Sequence, residues 1–363
     1  VDALEEKYDS TATESEEKPR IDIAIDVHAG TVRVTDNGVG LDPDVARRML
    51  APNFTTKPYR KTDTRRSFRG HKGVGLTFLA FSTDFFRCYG KKDNNEFAGE
   101  LHNGRAWVED ESGEMGPPKV HPSDFAPEAL RGYSSGASFE VRIGAAELAR
   151  LGTTWQGWYT VIRTQTAAGF CDLNNLHTWA NDATVSLSLI DAAGRKVEPP
   201  NDARDEFPMR FLFPHENLGA CDLDDYHRTH QGVTSVPESE KRKYEALYIA
   251  WDTDRIENFL FDRGEIEPGT DRHRFYQYTR EQLPTIYALF THSQRVWRER
   301  LDVGLSNDRR RRFWKAGIQI VTHQMPSGLL IEVYVPFTAG YRDRIYMLVA
   351  LEDARPDYGR KGF

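Results

Sequence analysis

The sequence predicts an α/β protein, an α+β sandwich followed by a second α/β domain, on three observations. Ile21-Asp22-Ile23-Ala24-Ile25-Asp26-Val27 alternates apolar and polar residues, His28-Ala29-Gly30 supplies a turn, and Thr31 to Thr35 returns, so a hairpin ends at Asp36. Arg69-Gly70-His71-Lys72-Gly73-Val74-Gly75-Leu76-Thr77-Phe78 sets three glycines before an apolar run, which predicts a helix with unpaired amides at its start. Helix-like and strand-like segments continue from Trp155 to Leu351, and 363 residues accommodate two ordinary domains, divided here into 1–150 and 151–363.

Composition narrows the function classes. The chain is 39% hydrophobic and 28% charged, a normal globular mixture. It has no apolar run of about 18 residues and no charged-then-apolar leader, so a soluble, cytoplasmic protein without membrane contact is expected. Cys88, Cys171 and Cys221 are widely separated, which indicates neither a disulfide framework nor a zinc site. The net charge of −7 argues against whole-surface attraction to nucleic acid but leaves room for a local basic patch. The chain opens at Val1 without Met and stops at Lys361-Gly362-Phe363, so it is expected to be part of a longer polypeptide.

In chain order, Val1 to about Lys7 reads as the tail of a helix and Tyr8 to Arg20 as a loop. Asp42-Pro43-Asp44 supplies an N-cap and a Pro at the first helical position, which predicts a helix over Val45 to Leu50. Residues 51 to 72 form a basic loop, with seven Lys and Arg side chains against Asp63. Strands are predicted at Phe85–Tyr89, Glu96–His102, Gly104–Val108 and Gly136–Ile143, with Glu109 to Tyr133 as a surface insertion. A helix over Trp155 to Ala168 is expected to lead into the second domain. There, strands are predicted at Thr184–Ile190, Phe207–Phe213 and Tyr244–Trp251, a long amphipathic helix over Pro284–Leu301, and strands at Ile318–Val321, Leu329–Val335 and Ile345–Leu351.

Two motifs carry chemistry. In Thr35-Asp36-Asn37-Gly38-Val39-Gly40-Leu41-Asp42 a carboxylate leaves a strand where two glycines let the backbone fold tightly and a flat ligand come close, so Asp36 reads as a base-recognising residue. The glycines at 70, 73 and 75 read as a phosphate cradle. Alone, either motif also fits a strand-ending turn or a flexible loop.

Their order and spacing resemble the ATP site of the GHKL superfamily, which includes gyrase-type topoisomerases, heat-shock chaperones, sensor histidine kinases, MutL and the MORC proteins. The resemblance implies a Bergerat-type ATP-binding domain followed by a transducer-like domain, with ATP and Mg2+ as cofactors. It implies that Asp36 accepts the adenine amine, that Gly38 and Gly40 pass the base, and that Gly70, Gly73 and Gly75 present amides to phosphates. His71, Lys72, Val74, Leu76 and Thr77 join the cofactor-binding candidates, although a solvated Lys72 competes. The basic loop resembles the ATP lid, and Phe54-Thr55-Thr56-Lys57 its entrance in sensor kinases, which adds Lys57. Relatives begin the last strand Gly-Thr; here Ala137 follows Gly136, and Ser138, one place late, is the remaining candidate.

In such proteins the general base and the magnesium ligand are a Glu and an Asn on the first helix. Val1-Asp2-Ala3-Leu4 looks like the continuation of that motif, so both are expected upstream of Val1. Glu5 and Asp9 have the right spacing, but Lys7, Tyr8 and the polar run after them do not read as the buried face such a pair needs. In transducer-bearing relatives a lysine from the second domain touches the terminal phosphate; Lys361 is the candidate here, with Arg360 second, and an exposed basic turn as the alternative. Asn307 to Lys315 is the strongest basic cluster of the second domain, either a solvated turn or a contact for nucleic acid or an acidic partner. The resemblance thus implies an ATPase switch whose lid closes on Mg-ATP, which forms a homodimer and acts on a nucleic acid or protein client. A sensor-type histidine kinase and a non-hydrolysing nucleotide-binding scaffold in a defence or repair complex are the alternatives.

Overall fold

Period-two alternation of isoleucines against polar residues makes β1, and the turn at Gly30 folds β2 back against it. The computed structural model describes residues 1–9, 17–51, 54, 75–93, 95–152, 154–173, 175, 177–200, 203–232, 239, 243–265, 267–271, 273–274, 284–293, 295–301, 314, 316–332 and 343–351. Their elements are α1 (Asp2–Tyr8), β1 (Arg20–Asp26), β2 (Thr31–Asp36), α2 (Pro43–Ala46), α3 (Gly75–Phe81), β3 (Phe85–Lys92), β4 (Asn95–His102), α4 (Gly104–Val108), β5 (His121–Pro122), β6 (Gly136–Arg142), α5 (Ala145–Leu151) and α6 (Trp155–Gln165). There follow β7 (Thr184–Ile190), β8 (Glu206–Pro208), β9 (Ala220–Asp222), α7 (Leu223–Thr229), β10 (Ala246–Trp251), α8 (Thr253–Asp262), β11 (Thr285–Thr291), β12 (Gly317–Thr322), β13 (Met325–Ile331) and β14 (Ile345–Ala350). The chain divides into two compact units, Val1–Tyr159 with His177–Arg210, and Thr160–Leu176 with Phe211–Phe363.

The first unit is built on a sheet in the order β5-β4-β3-β6-β2-β1-β7-β8. Its pairs are antiparallel except β1 with β7, which run parallel from Arg20 opposite Thr184 to Asp26 opposite Ile190. Strand alternation divides the side chains between two faces. Asp36 lies opposite Ala137, which lies opposite Gly90; the same face carries the pairs Val32–Val141 and Val141–Phe86 farther along. On that face Met49, Ala80, Phe86, Cys88, Leu101 and Val141 form a buried cluster that Leu41, Ala46, Leu50, Leu76 and Phe81 join. The segments around α2 and α3 therefore cover the face of the sheet that carries Asp36.

The opposite face is polar. Arg33, Glu140, Arg87 and Glu100 face one another in register across four strands. Arg87 Nη2 donates to Glu140 Oε1 at 2.6 Å, and its guanidinium lies 4.3 Å from the Phe125 ring centroid, which fastens the insertion to the sheet.

Three expectations fail in this unit. Thr184–Ile190 is a strand, but of the first sheet: Val185, Leu187 and Leu189 are buried at 0–1% exposure as it caps β1, so residues 177–210 return to the first unit beyond the division expected at 150. Of the strand expected over Phe207–Phe213, only Phe207 and Pro208 are extended in the sheet, within β8. Gly104–Val108 is a helix, not a strand. Asn103 is left-handed at φ 60°, Trp107 N donates to Asn103 O, and Ala106 N is held by Asp84, so the chain coils as soon as the β3–β4 hairpin is complete.

The second unit has a sheet ordered β13-β12-β14-β11-β10-β9. Its core gathers Phe211, Tyr287, Leu289, Trp297, Trp314, Val321, Tyr346 and Leu348. Tyr287 and Tyr346 keep their hydroxyls paired, with His215 Nδ1 at 2.9 Å and Gln319 Oε1 at 2.7 Å. The helix expected over Pro284–Leu301 is a correction. Thr285, Tyr287, Leu289 and Thr291 are buried and alternate with half-buried neighbours, so the period is two and the segment is β11, between β10 and β14. A short π-type turn, Trp297–Leu301, is the helical remnant. Of the remaining predicted strands, three appear as β10, β12 and β14; of that predicted over Leu329–Val335, residues 329–331 lie in β13 and residues 333–335 lie outside the described residues. No described helix is long and apolar enough to cross a membrane.

Candidate functional site

The site is built around the turn that follows β2. Asp36 Oδ1 accepts from the Gly38 amide at 3.0 Å, an Asx-type turn that aims the carboxylate at the end of the strand. Burial pushes the Asp36 carboxyl up from its ordinary range, and the Gly38 amide and Lys7 offset part of that shift.

Close packing explains the two glycines. A Cβ on Gly38 would stand 2.6 Å from the Ala3 carbonyl carbon of α1, whose oxygen accepts from Val39 N at 3.1 Å. Gly40 is left-handed at φ +73°, and a Cβ there would run into the Lys91 carbonyl. Both glycines are thus required by the protein's own backbone before any ligand is considered.

Asn37, 2% exposed, clips the start of β1 to this turn. Its Oδ1 accepts from Arg20 N and its Nδ2 donates to Lys18 O, each at 2.8 Å. The Asn37 carbonyl accepts from Lys7 Nζ at 2.9 Å and from the Tyr8 hydroxyl at 3.4 Å. Burial raises the Tyr8 hydroxyl well above its ordinary range, followed by the negative fields of Glu17, Tyr133 and Asp36. Ser135 Oγ donates to the Gly38 carbonyl at 2.6 Å.

Of the candidate residues, the structure brings Asp36, Gly38 and Gly40 together in this turn and places Gly75, Leu76 and Thr77 in α3 on the same face of the sheet. Gly75 is in open space, Leu76 packs on the buried cluster, and the Thr77 hydroxyl donates to Leu50 O at 3.2 Å, which ties α3 to the segment after α2. Ser138 is not brought to Asp36. It lies opposite Thr35, one residue out of step, and its Oγ bonds Thr35 Oγ1 at 2.8 Å on the other face, while Ala137 stands opposite Asp36.

Lys57, Gly70, His71, Lys72, Gly73, Val74, Arg360 and Lys361 lie outside the described residues, as do most of the basic loop and all of Asn307–Lys315 except Trp314. Helix α1 does bury a face: Leu4 is 0% and Glu5 4% exposed, with Glu5 Oε1 3.7 Å from His177 Nε2. The sequence reading missed Lys7, Tyr8, Asn37 and Ser135. Asn37 lay inside the motif, whereas Lys7, Tyr8 and Ser135 gave no periodic signal. No group of three or more His, Cys, Asp or Glu side chains suited to a metal occurs among the described residues.

Residues 3–144 match the family model described as histidine kinase-, DNA gyrase B- and HSP90-like ATPase. The match spans the Asp36 turn and α3 and ends just past β6. No curated protein matches the chain. Among solved structures, the chain is similar to the ATPase region of Saccharomyces cerevisiae topoisomerase II bound to ICRF-187 (dexrazoxane), at 10% identity over 94% of this chain and 70% of that one, with a TM-score of 0.40. A second structure of that ATPase region gives 9% identity, coverage of 92% and 67%, and a TM-score of 0.38.

Proposed function

We propose that the chain binds and hydrolyses ATP as a conformational switch: Mg-ATP closes a lid, two copies dimerise, and the dimer acts on a nucleic acid or protein partner until hydrolysis reopens it. The observation that carries this reading is the half-buried Asp36 carboxylate, set at a strand end on the sheet face covered by the glycine-opened helix, within the segment that matches the ATPase family model. A carboxylate acceptor there suits the exocyclic amine of adenine and disfavours the carbonyl that guanine presents. Gly75 and the glycines before it supply amides for phosphate oxygens. Magnesium would neutralise phosphate charge. Among the branches of the GHKL superfamily, the MORC-like and heat-shock-chaperone-like ones, with an appended transducer-like second domain, are the ones this reading favours.

Light scattering with no nucleotide, with ADP, and with a non-hydrolysable ATP analogue plus magnesium tests the switch. Dimerisation with the analogue alone, lost in Asp36→Asn, is the expected result. A mass independent of nucleotide despite measurable binding would contradict it.

The same substitution has an opposite effect on stability. A carboxyl whose folded pKa lies above its unfolded value opposes folding once pH exceeds the unfolded value, and the penalty is fully present above the folded one. Asp36→Asn removes that penalty and keeps an acceptor for Gly38, so at neutral pH the free variant is expected to melt about 2 °C or more above the wild type. The advantage should shrink as pH falls through the raised Asp36 titration; calorimetric melting across pH checks this.

A further inference from the structure

We propose that Glu17 is a positioning residue for the Asp36 turn, coupling Lys7 of α1 to Ser134 and so holding the carbonyls of Asn37 and Gly38 in the arrangement that receives the base. The proposal rests on Asp36 as the base-recognising residue. Glu17 Oε2 accepts from Lys7 Nζ at 2.7 Å, its Oε1 from the Ser134 amide at 3.2 Å, and its Oε2 from Ser134 Oγ at 3.4 Å.

Each of these partners, or its neighbour in sequence, also reaches the turn. Lys7 Nζ donates onward to Asn37 O, Tyr8 adds its hydroxyl to the same carbonyl, and Ser135 donates to Gly38 O. Glu17 is in turn placed by the turn itself, because the Asn37 side chain holds Lys18 O and Arg20 N. The contacts close into a ring: Asn37 side chain, residues 18–20, Glu17, Lys7, and back to the Asn37 carbonyl.

The ring is partly withdrawn from water, with the Lys7 and Glu17 side chains 15% and 26% exposed. A charge-assisted pair there is screened less than one on the open surface. Burial raises the Glu17 carboxyl, but the hydrogen bonds from Lys7 and Ser134 outweigh it and leave the group below its ordinary range. Glu17 is therefore the ionised link between α1 and residues 133–136, the two segments whose side chains hold the turn's carbonyls. Removing it should loosen the turn without opening the hydrophobic core, since no residue of the buried cluster on the sheet takes part.

Hydrogen exchange and nucleotide binding on Glu17→Ala, Glu17→Gln and Asp36→Asn of the full-length protein test this. Glu17→Ala is expected to speed amide exchange at residues 36–40 about tenfold in the free protein and to weaken ATP and ADP binding alike by about tenfold, with Glu17→Gln in between. Exchange elsewhere in the sheet stays at the wild-type rate, which a merely destabilising substitution would not allow. Wild-type exchange at 36–40 in Glu17→Ala, or faster exchange with unchanged ATP affinity, would overturn the positioning role while Asp36→Asn still loses ATP. Wild-type protein that binds no ATP would instead overturn the reading of Asp36, and the positioning role with it.

Discussion

Gly40→Val is expected to lose at least about 3 kcal/mol of stability, because it combines a left-handed β-branched residue with overpacking against fixed backbone. Gly40 sits at φ +73°, and a Cβ there meets the Lys91 carbonyl of β3 and the Gly136 amide of β6. Both are main-chain groups of strands in the sheet, so neither can rotate away as a side chain would. Gly40→Asn separates the two causes, since asparagine tolerates positive φ but still carries a Cβ; it is expected to fail nearly as badly. Gly113 gives the contrast, because it too is left-handed, at φ +69°, but has nothing within 4 Å, and Gly113→Ala should cost only about 1 kcal/mol. Urea unfolding followed by circular dichroism orders the three variants. Gly40→Asn as mild as Gly113→Ala would show that the turn yields where its packing reads as closed.

Trp314→Ala should cost the second unit about 3–5 kcal/mol, the loss typical of a large aromatic removed from a core. The side chain is 2% exposed, with Phe211 and Tyr346 edge-on at 5.9 and 5.4 Å between centroids. Its Nε1 has no hydrogen-bond partner among the described residues, so Trp314→Phe removes an unsatisfied buried donor along with some volume and should cost far less. Far-UV circular dichroism in denaturant measures both. An alanine variant within about 1 kcal/mol of wild type would place Trp314 outside the core.

Much of this protein is written in local pattern. The β1–β2 hairpin, the Asp42 cap with Pro43 behind it, and the strands at 85, 96 and 136 follow from alternation and capping chemistry that act over a few residues. Asp36 and its glycines were legible for the same reason. The failures lie where distant residues decide. The segment Pro284–Leu301 illustrates it: Ile286, Leu289 and Phe290 satisfy a helical period, but strands β10 and β14 offer hydrogen bonds on both sides of Thr285–Thr291. Thr184–Ile190 has an unmistakable strand pattern that says nothing of which sheet will take it. Glu17 and Ser134 are 117 residues apart, and no spacing rule joins them. Ser138 shows the cost of a single step in register: next to the right position in sequence, it lies on the other face of the sheet.

The most direct test of the central claim is calorimetric titration of the full-length protein with ATP, and with GTP as a control for the base, on wild type and Asp36→Asn. Saturable ATP binding, weakened at least about a hundredfold in Asp36→Asn and absent with GTP, is the predicted result, in keeping with a buried polar contact that a mismatched base leaves unpaired. Equal affinity of the two proteins for ATP, or equal affinity of the wild type for ATP and GTP, would contradict it.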